Sequence, residues 1–457
     1  MTGKRVFVVG LMLLLAVFVF ASGPQEKKAT AGNPLQGKTV AVLVWPMSIL
    51  DPVHAIVSEF EKMTGAKVIM DPMGEEALRQ KQMTEFASGK IVHNVVLVDM
   101  YGLAAQEKYV MPLDDLMKSK GGAWEGLHDF SYNDFDKFMR EVYIYNNKTL
   151  GIPYYWEVAG LHYRKDLLQE AGLAVPTTHL EYRDAAQKLT KDVDGDGKTD
   201  IYGTAQRSVR GEDSGLMSAG AAYSFGSTMF EGGAATGPEI KAKKAKPRVN
   251  SKEWIDAFTF YGDLLHKYAP PGVTSYSWTE VMRDFEEGKI AMDIDANYFV
   301  GMYNNPAVSK VAGKADLALP PKGPGGKYYQ HPFVCSLGIP QGAQDVDAAW
   351  EFIKWYTCKS TVGRSIVPGF RLTPTIPALM ATAEYKKAFG DTGEKLLKTL
   401  AVADWKMMPI FPESDEPTFL IGDAWSSVVA GTKNPKQALD AAQAGILKIM
   451  TESGYYK

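Results

Sequence analysis

Between Lys38 and Val98, apolar runs of strand length alternate with amphipathic segments of helix length, and this alternation constrains the fold more than any other feature. Lys38-Thr39-Val40-Ala41-Val42-Leu43-Val44-Trp45 is almost continuously apolar, as a strand covered on both faces must be. After Pro46, Asp51 stands before Pro52, a helix cap followed by a proline at the first helical position. Val53, Ile56, Val57, Phe60 and Met63 recur at helical spacing, and Gly65 stops the run. Ala66 to Met70 reads as a second strand, Glu75 to Ser88 as a second helix, and Val95 to Val98 as a third buried strand. Strand–helix–strand–helix–strand with short links predicts an α/β unit with a mostly parallel sheet.

A second unit begins after Gly151-Ile152-Pro153. Tyr154 to Tyr163 reads as extended and Lys165 onward as helical. Helices are predicted over 179–191, 214–231, 251–267, 278–287 and 345–357, and strands over 289–299 and 332–340. A last helix opens at Asn434-Pro435-Lys436-Gln437, with Asn as cap, Pro at the first position and Gln at the third. The length accommodates two domains.

The N-terminal stretch predicts where the protein works. Lys4 and Arg5 precede an apolar run from Val6 to Phe20, and Val19-Phe20-Ala21 suits cleavage before Ser22, so residues 1–21 read as a signal peptide. The run is shorter than the roughly 20 apolar residues a membrane span needs. No cysteine follows it, so the expectation is a periplasmic or otherwise exported, soluble chain that is not lipid-anchored, with a flexible leader over 22–35. A net charge of −3 gives no electrostatic case for nucleic acid or an anionic membrane. The two cysteines, Cys335 and Cys358, leave a disulfide and a pair of buried thiols both open.

Several segments, in order, resemble the extracellular solute-binding proteins of ABC importers, in particular the sugar-binding group that includes maltose-binding proteins. VWPMSILDPVHAIVSEFEKMTGAKV is similar to that family's opening strand–helix–strand, and LGIPYYWEVAGLHYRKDLLQEAGL to its crossover segment. LTKDVDGDGKTDIYG, FEEGKIAMDIDANYF and GIPQGAQDVDAAWEFIKWYTC are similar to its acidic turn, its return strand and the segment that follows. The resemblance implies an α/β, two-lobe periplasmic-binding-protein fold with discontinuous lobes, a hinge and a ligand cleft. On that alignment the first lobe is 36–157 plus 291–340 and the second 158–290 plus 341–457, with crossings near 155–160, 288–292 and 338–343. It further implies a small-molecule carbohydrate as ligand, an ABC transporter permease as partner, a monomer, and no catalysis or required cofactor.

Sugars present hydroxyl rims and apolar faces, so their sites combine aromatic plates with carboxylates, amides and arginine. Trp45 and Asp99 end buried strands, where open α/β sheets bind ligands; a core Trp and a solvated turn aspartate are the alternatives. Glu157 interrupts an apolar extended run, a costly place for a charge unless it faces a cleft, and the resemblance puts a cleft glutamate there. Trp156 is a further stacking candidate; if the stretch is a regular strand it alternates to the other side, which would make one of the two structural. The resemblance places Tyr298 as a stacking aromatic, with Asn297 beside it. Asp293 and Asp295 share a strand face and read equally as hydroxyl acceptors or solvated groups. Arg371 sits on a Gly/Pro-bounded loop, and Phe419 and Trp425 match a segment lining the second lobe's mouth.

Asp192, Asp194, Asp196 and Asp200 occupy positions one, three, five and nine of a loop with Gly197 at six, the front of an EF-hand-like calcium loop. Gly203 stands where the bidentate Glu belongs, so a structural calcium and an acidic turn both remain open. No HExxH, GxSxG or phosphate-cradling GKS/T occurs. The rival readings are a receptor for glycerol phosphate, polyamine or peptide, and an exported glycoside hydrolase.

Overall fold

The computed structural model describes residues 33, 35–45, 51–118, 128–366 and 373–456. The signal peptide expected over 1–21, most of the leader, and Arg371 lie outside the described residues. β1 (Thr39–Val44) is buried from Val40 onward and leads through a helical turn, Asp51–His54, into α1 (Val57–Thr64). The single helix expected from Pro52 is therefore two. Gly65 ends α1 with φ 76°, in the left-handed region that suits glycine. β2 (Lys67–Pro72), α2 (Glu75–Ser88) and β3 (Val96–Asp99) follow. Further along come β4 (Ile152–Glu157), β5 (Ala159–Arg164), α3 (Glu212–Ser224), α4 (Lys252–Tyr268), β6 (Met292–Ala296), β7 (Ala315–Ala318) and β8 (Phe333–Gly338). The chain closes with α5 (Val346–Thr357), α6 (Thr392–Ala401), α7 (Asp415–Val429) and α8 (Pro435–Glu452). The Asn434 side chain caps α8 by accepting from the Gln437 N–H at 2.9 Å, as its sequence predicts.

Two sheets organise the two lobes. In the first, β2 and β1 are parallel, a parallel bridge from Val42 to Val95 brings in β3, and β8 runs antiparallel between β3 and β4. β2 is half-exposed along its length, as an edge strand is, whereas β1, β3 and β4 are buried. In the second, β5 runs antiparallel between β6 and β7. In the first sheet the one reversed strand is β8, which returns from the other lobe and runs antiparallel to both β3 and β4.

The lobe boundaries differ from those expected. β6 and β7 pair with β5, so of 291–340 only β8 joins the first sheet. α5 packs on β1 and β4 of the first sheet, whereas α6 packs on β7 of the second. The chain passes from the first sheet to the second at Val158 and returns between Ala318 and Phe333, and α6 lies against the second sheet again. The run around β6 is buried throughout, and such a strand carries the same apolar pattern in either sheet.

In the second lobe α7 packs against α3 and α8. Small residues permit it: a Cβ on Gly422 would stand 1.9 Å from the Gly211 carbonyl oxygen, and one on Gly215 would stand 2.1 Å from that of Thr418. This close approach fixes the segment that carries Arg207 and Glu212, for the Trp425 indole of α7 donates to the Arg207 carbonyl at 3.2 Å. Among the described residues, no helix is long and apolar enough to cross a membrane.

Candidate functional site

β4 ends where the chain leaves the first sheet, and its alternation sorts its side chains. Trp156 turns into the protein, fully buried, and its Nε1–H donates to the Pro374 carbonyl at 2.9 Å. Tyr155 and Glu157 take the other face, where the Tyr155 hydroxyl donates to Glu157 Oε2. Glu157 Oε1 also meets His331 Nε2 at 3.0 Å, and Arg207 Nη2 lies 3.9 Å away. Arg207, only 4% exposed, is forked onto Asp295, with Nε donating to Oδ2 at 3.1 Å and Nη2 to Oδ1. Its Nη1 donates to Asp213 at 3.2 Å.

A buried carboxylate needs this compensation. Burial pushes the Asp295 carboxyl up, but the charge and hydrogen bonds of Arg207 outweigh it and hold the group below the usual carboxylate range. Burial works against the Arg207 cation too, and Asp295 and Asp213 overcome it, so the guanidinium keeps its proton more firmly than usual.

Aromatic rings wall this network. Phe333 is the hub: Trp45 stacks on it at 5.9 Å and 11°, Tyr101 lies at 6.0 Å, and Tyr155 meets it edge-on at 6.5 Å. Tyr298 meets the Tyr155 ring at 6.0 Å, and burial pushes its phenol up. The Trp45 Nε1–H and His331 Nδ1 are buried without a hydrogen-bond partner among the described residues, so polar capacity remains beside the aromatic wall.

A second polar group borders the first. Asp99 accepts from the Gly102 N–H at 2.7 Å and faces Arg79 Nε at 3.6 Å. Arg79, on α2 of the first lobe, reaches the other lobe through Nη1, which donates to Glu212 Oε2 at 2.8 Å. Burial pushes the Glu212 carboxyl up to about 7; Arg79 pulls it back, and Asp99 and Asp415 add to the rise. The Ser414 hydroxyl, at the head of α7, donates to the Tyr101 carbonyl at 3.0 Å. Burial pushes the Tyr101 phenol up, followed by the charges of Glu212, Glu157 and Asp99, so the two polar groups share the space around one ring.

Of the residues singled out from sequence, Trp45, Asp99, Glu157, Asp295 and Tyr298 meet at this junction. Three do not. Trp156 is the structural member of its pair. Asp293 is buried against His162 Nδ1 at 2.6 Å and the Tyr303 hydroxyl at 2.8 Å. Asn297 accepts from the Val158 N–H at 3.4 Å and donates to Thr399 at 2.9 Å, which ties the crossover to α6. Trp425 supports Arg207 from behind, and Phe419 is exposed beside Arg210 at 6.0 Å. Arg79, Tyr101, Tyr155, Arg207, Glu212, His331 and Phe333 were not anticipated. The one available signal was Asp295, since an aspartate buried in a strand demands a cation from elsewhere in the chain.

In the acidic loop, Asp192, Asp194 and Asp200 bring one carboxylate oxygen each within 4.8 Å of one another. Asp196 turns instead to the Lys198 ammonium at 3.2 Å. Asp192 accepts from the Gly195 and Gly197 N–H groups at 2.7 and 2.8 Å, and Gly197 has φ 86°. Cys335 and Cys358 are buried thiols with no disulfide between them.

Residues 48–359 match the family described as bacterial extracellular solute-binding protein. The mannitol-binding protein of Pseudomonas aeruginosa is 25% identical over 402 residues, spanning 84% of this chain and 86% of that protein. An Agrobacterium vitis S4 solute-binding protein with bound D-mannitol superposes with a TM-score of 0.77 at 28% identity, covering 92% of this chain and all of that one. One from Agrobacterium radiobacter K84 in complex with ribitol gives 0.79 at 25% identity, covering 91% and 100%.

Proposed function

This chain belongs to the bacterial extracellular solute-binding proteins, and from that premise we propose that it is an exported receptor that captures a small carbohydrate, a sugar alcohol foremost, between its lobes and delivers it to an ABC transporter permease. One observation carries the ligand class: the Glu157–Arg207–Asp295–His331 network converges with the rings of Trp45, Tyr101, Tyr155, Tyr298 and Phe333 at the crossover between lobes. Paired acceptors and donors suit the hydroxyls of a polyol, and the rings suit its C–H faces. The mannitol and ribitol named for the relatives support the same class. The receptor breaks no bond; its work is closure by rotation about the crossovers. It acts as a monomer.

Isothermal titration with D-mannitol, ribitol and maltose tests this reading. Micromolar or tighter binding, about −8 kcal/mol, of at least one polyol is expected. Absence of heat from all of them, or release of a product on incubation, overturns it. A structural calcium ion is a secondary part of the proposal, supported by the grouping of Asp192, Asp194 and Asp200.

A further inference from the structure

Carboxylates from both lobes crowd the junction. Asp99 comes from β3, Glu157 from β4, Asp295 from β6, and Glu212, Asp213 and Asp415 from the heads of α3 and α7. The guanidinium groups that meet them among the described residues are Arg79 and Arg207. Carboxylates outnumber these cations even with Glu212 counted as neutral.

The geometry also commits the cations. Arg207 spends Nε and Nη2 on Asp295 and Nη1 on Asp213. Arg79 spends Nη1 on Glu212 and sets Nε 3.6 Å from Asp99. Arg207 therefore offers no fork to an incoming anion, which is what recognition of a carboxylate or phosphate requires, and Arg79 already holds the Glu212 carboxylate. Asp99, Glu212 and Glu157 all bear on the Tyr101 ring, which stands beside Phe333 in the aromatic wall, so among the described residues the carboxylates border the wall that the receptor reading assigns to the solute.

We infer that this cleft selects its solute by charge, admitting neutral and cationic polyols and excluding sugar acids and sugar phosphates of the same shape. The inference rests on the receptor reading and sharpens it. One uncompensated carboxylate within several ångströms of a bound anion, at an effective dielectric of about 20, weakens binding by more than roughly tenfold. Several act here together, while a hydroxyl or an ammonium group in the same place meets acceptors.

The test is a matched series that differs only at the first carbon: D-mannitol, 1-amino-1-deoxy-D-mannitol and D-mannonate, titrated calorimetrically at neutral pH and low salt. Mannonate should bind at least about thirtyfold more weakly than mannitol, and the amine no more weakly than mannitol. The mannitol-to-mannonate ratio should shrink severalfold in Glu212→Gln and in Asp99→Asn, with circular dichroism used to confirm that each variant folds. Added salt should shrink it too. Mannitol binding with equal or tighter mannonate binding overturns the charge selection and leaves the receptor standing. Failure of mannitol, ribitol and maltose alike to bind overturns the receptor reading, and the selection with it.

Discussion

Glu212 places a measurable pH dependence in the bridge between the lobes. A carboxyl with an ordinary value of 4.5 that titrates near 7 in the folded protein binds a proton more tightly folded than unfolded. Folding therefore takes up a proton between these values. The group's contribution to stability is fully present below 4.5, declines as pH rises, and is lost above about 7. Keeping Glu212 ionised in the folded structure costs about 3 kcal/mol. Glu212→Gln keeps the shape and a hydrogen-bond acceptor for Arg79 while removing that cost. A chain of this length shifts its melting temperature by about 1 °C per kcal/mol. The variant should melt about 3 °C above wild type at roughly pH 8.5 and level with it near pH 4.5. Differential scanning calorimetry of both proteins across that range isolates Glu212, because other carboxyls titrate alike in each. A difference that stays constant with pH, or a variant less stable in alkali, refutes the reasoning.

Asp295→Asn should destabilise the fold by about 3–5 kcal/mol in chemical denaturation, since it leaves the buried Arg207 without its forked partner; a loss below about 1 kcal/mol contradicts that pairing. Trp156→Phe should lose about 1 kcal/mol of stability with the bond to Pro374, while solute affinity stays within about twofold; a large affinity loss would return Trp156 to the binding surface. Chelator should lower the melting temperature and calcium restore it if Asp192, Asp194 and Asp200 hold the ion, and an unchanged transition leaves the loop an acidic turn.

Much of the local structure was legible in the chain because it rests on neighbours in sequence. The apolar run of β1 and the Asn434 cap needed no distant partner to be read. Glu157 was legible for another reason: a charge inside an apolar strand needs a cleft or polar partners, and it lies against the Tyr155 hydroxyl and His331, with Arg207 nearby. Arg207 and His331 carried no such mark. Their roles come from residues many positions away, Asp295 and Glu157, that the fold brings to them. The sheet membership of β6 was hidden likewise, since burial on both faces erases the alternation that would show a strand's surroundings.

The position of β8 bears on the order in which the molecule can assemble. It is the strand between β3 and β4, so residues 39–157 hold the rest of the first sheet yet cannot join its two halves. Until Phe333–Gly338 arrive, β3 and β4 each present an unpaired edge. Completing the sheet closes a loop of nearly two hundred residues, the sort of distant pairing that slows folding. The first sheet therefore cannot be completed until the chain has been made as far as Gly338, about three-quarters of the way along its length.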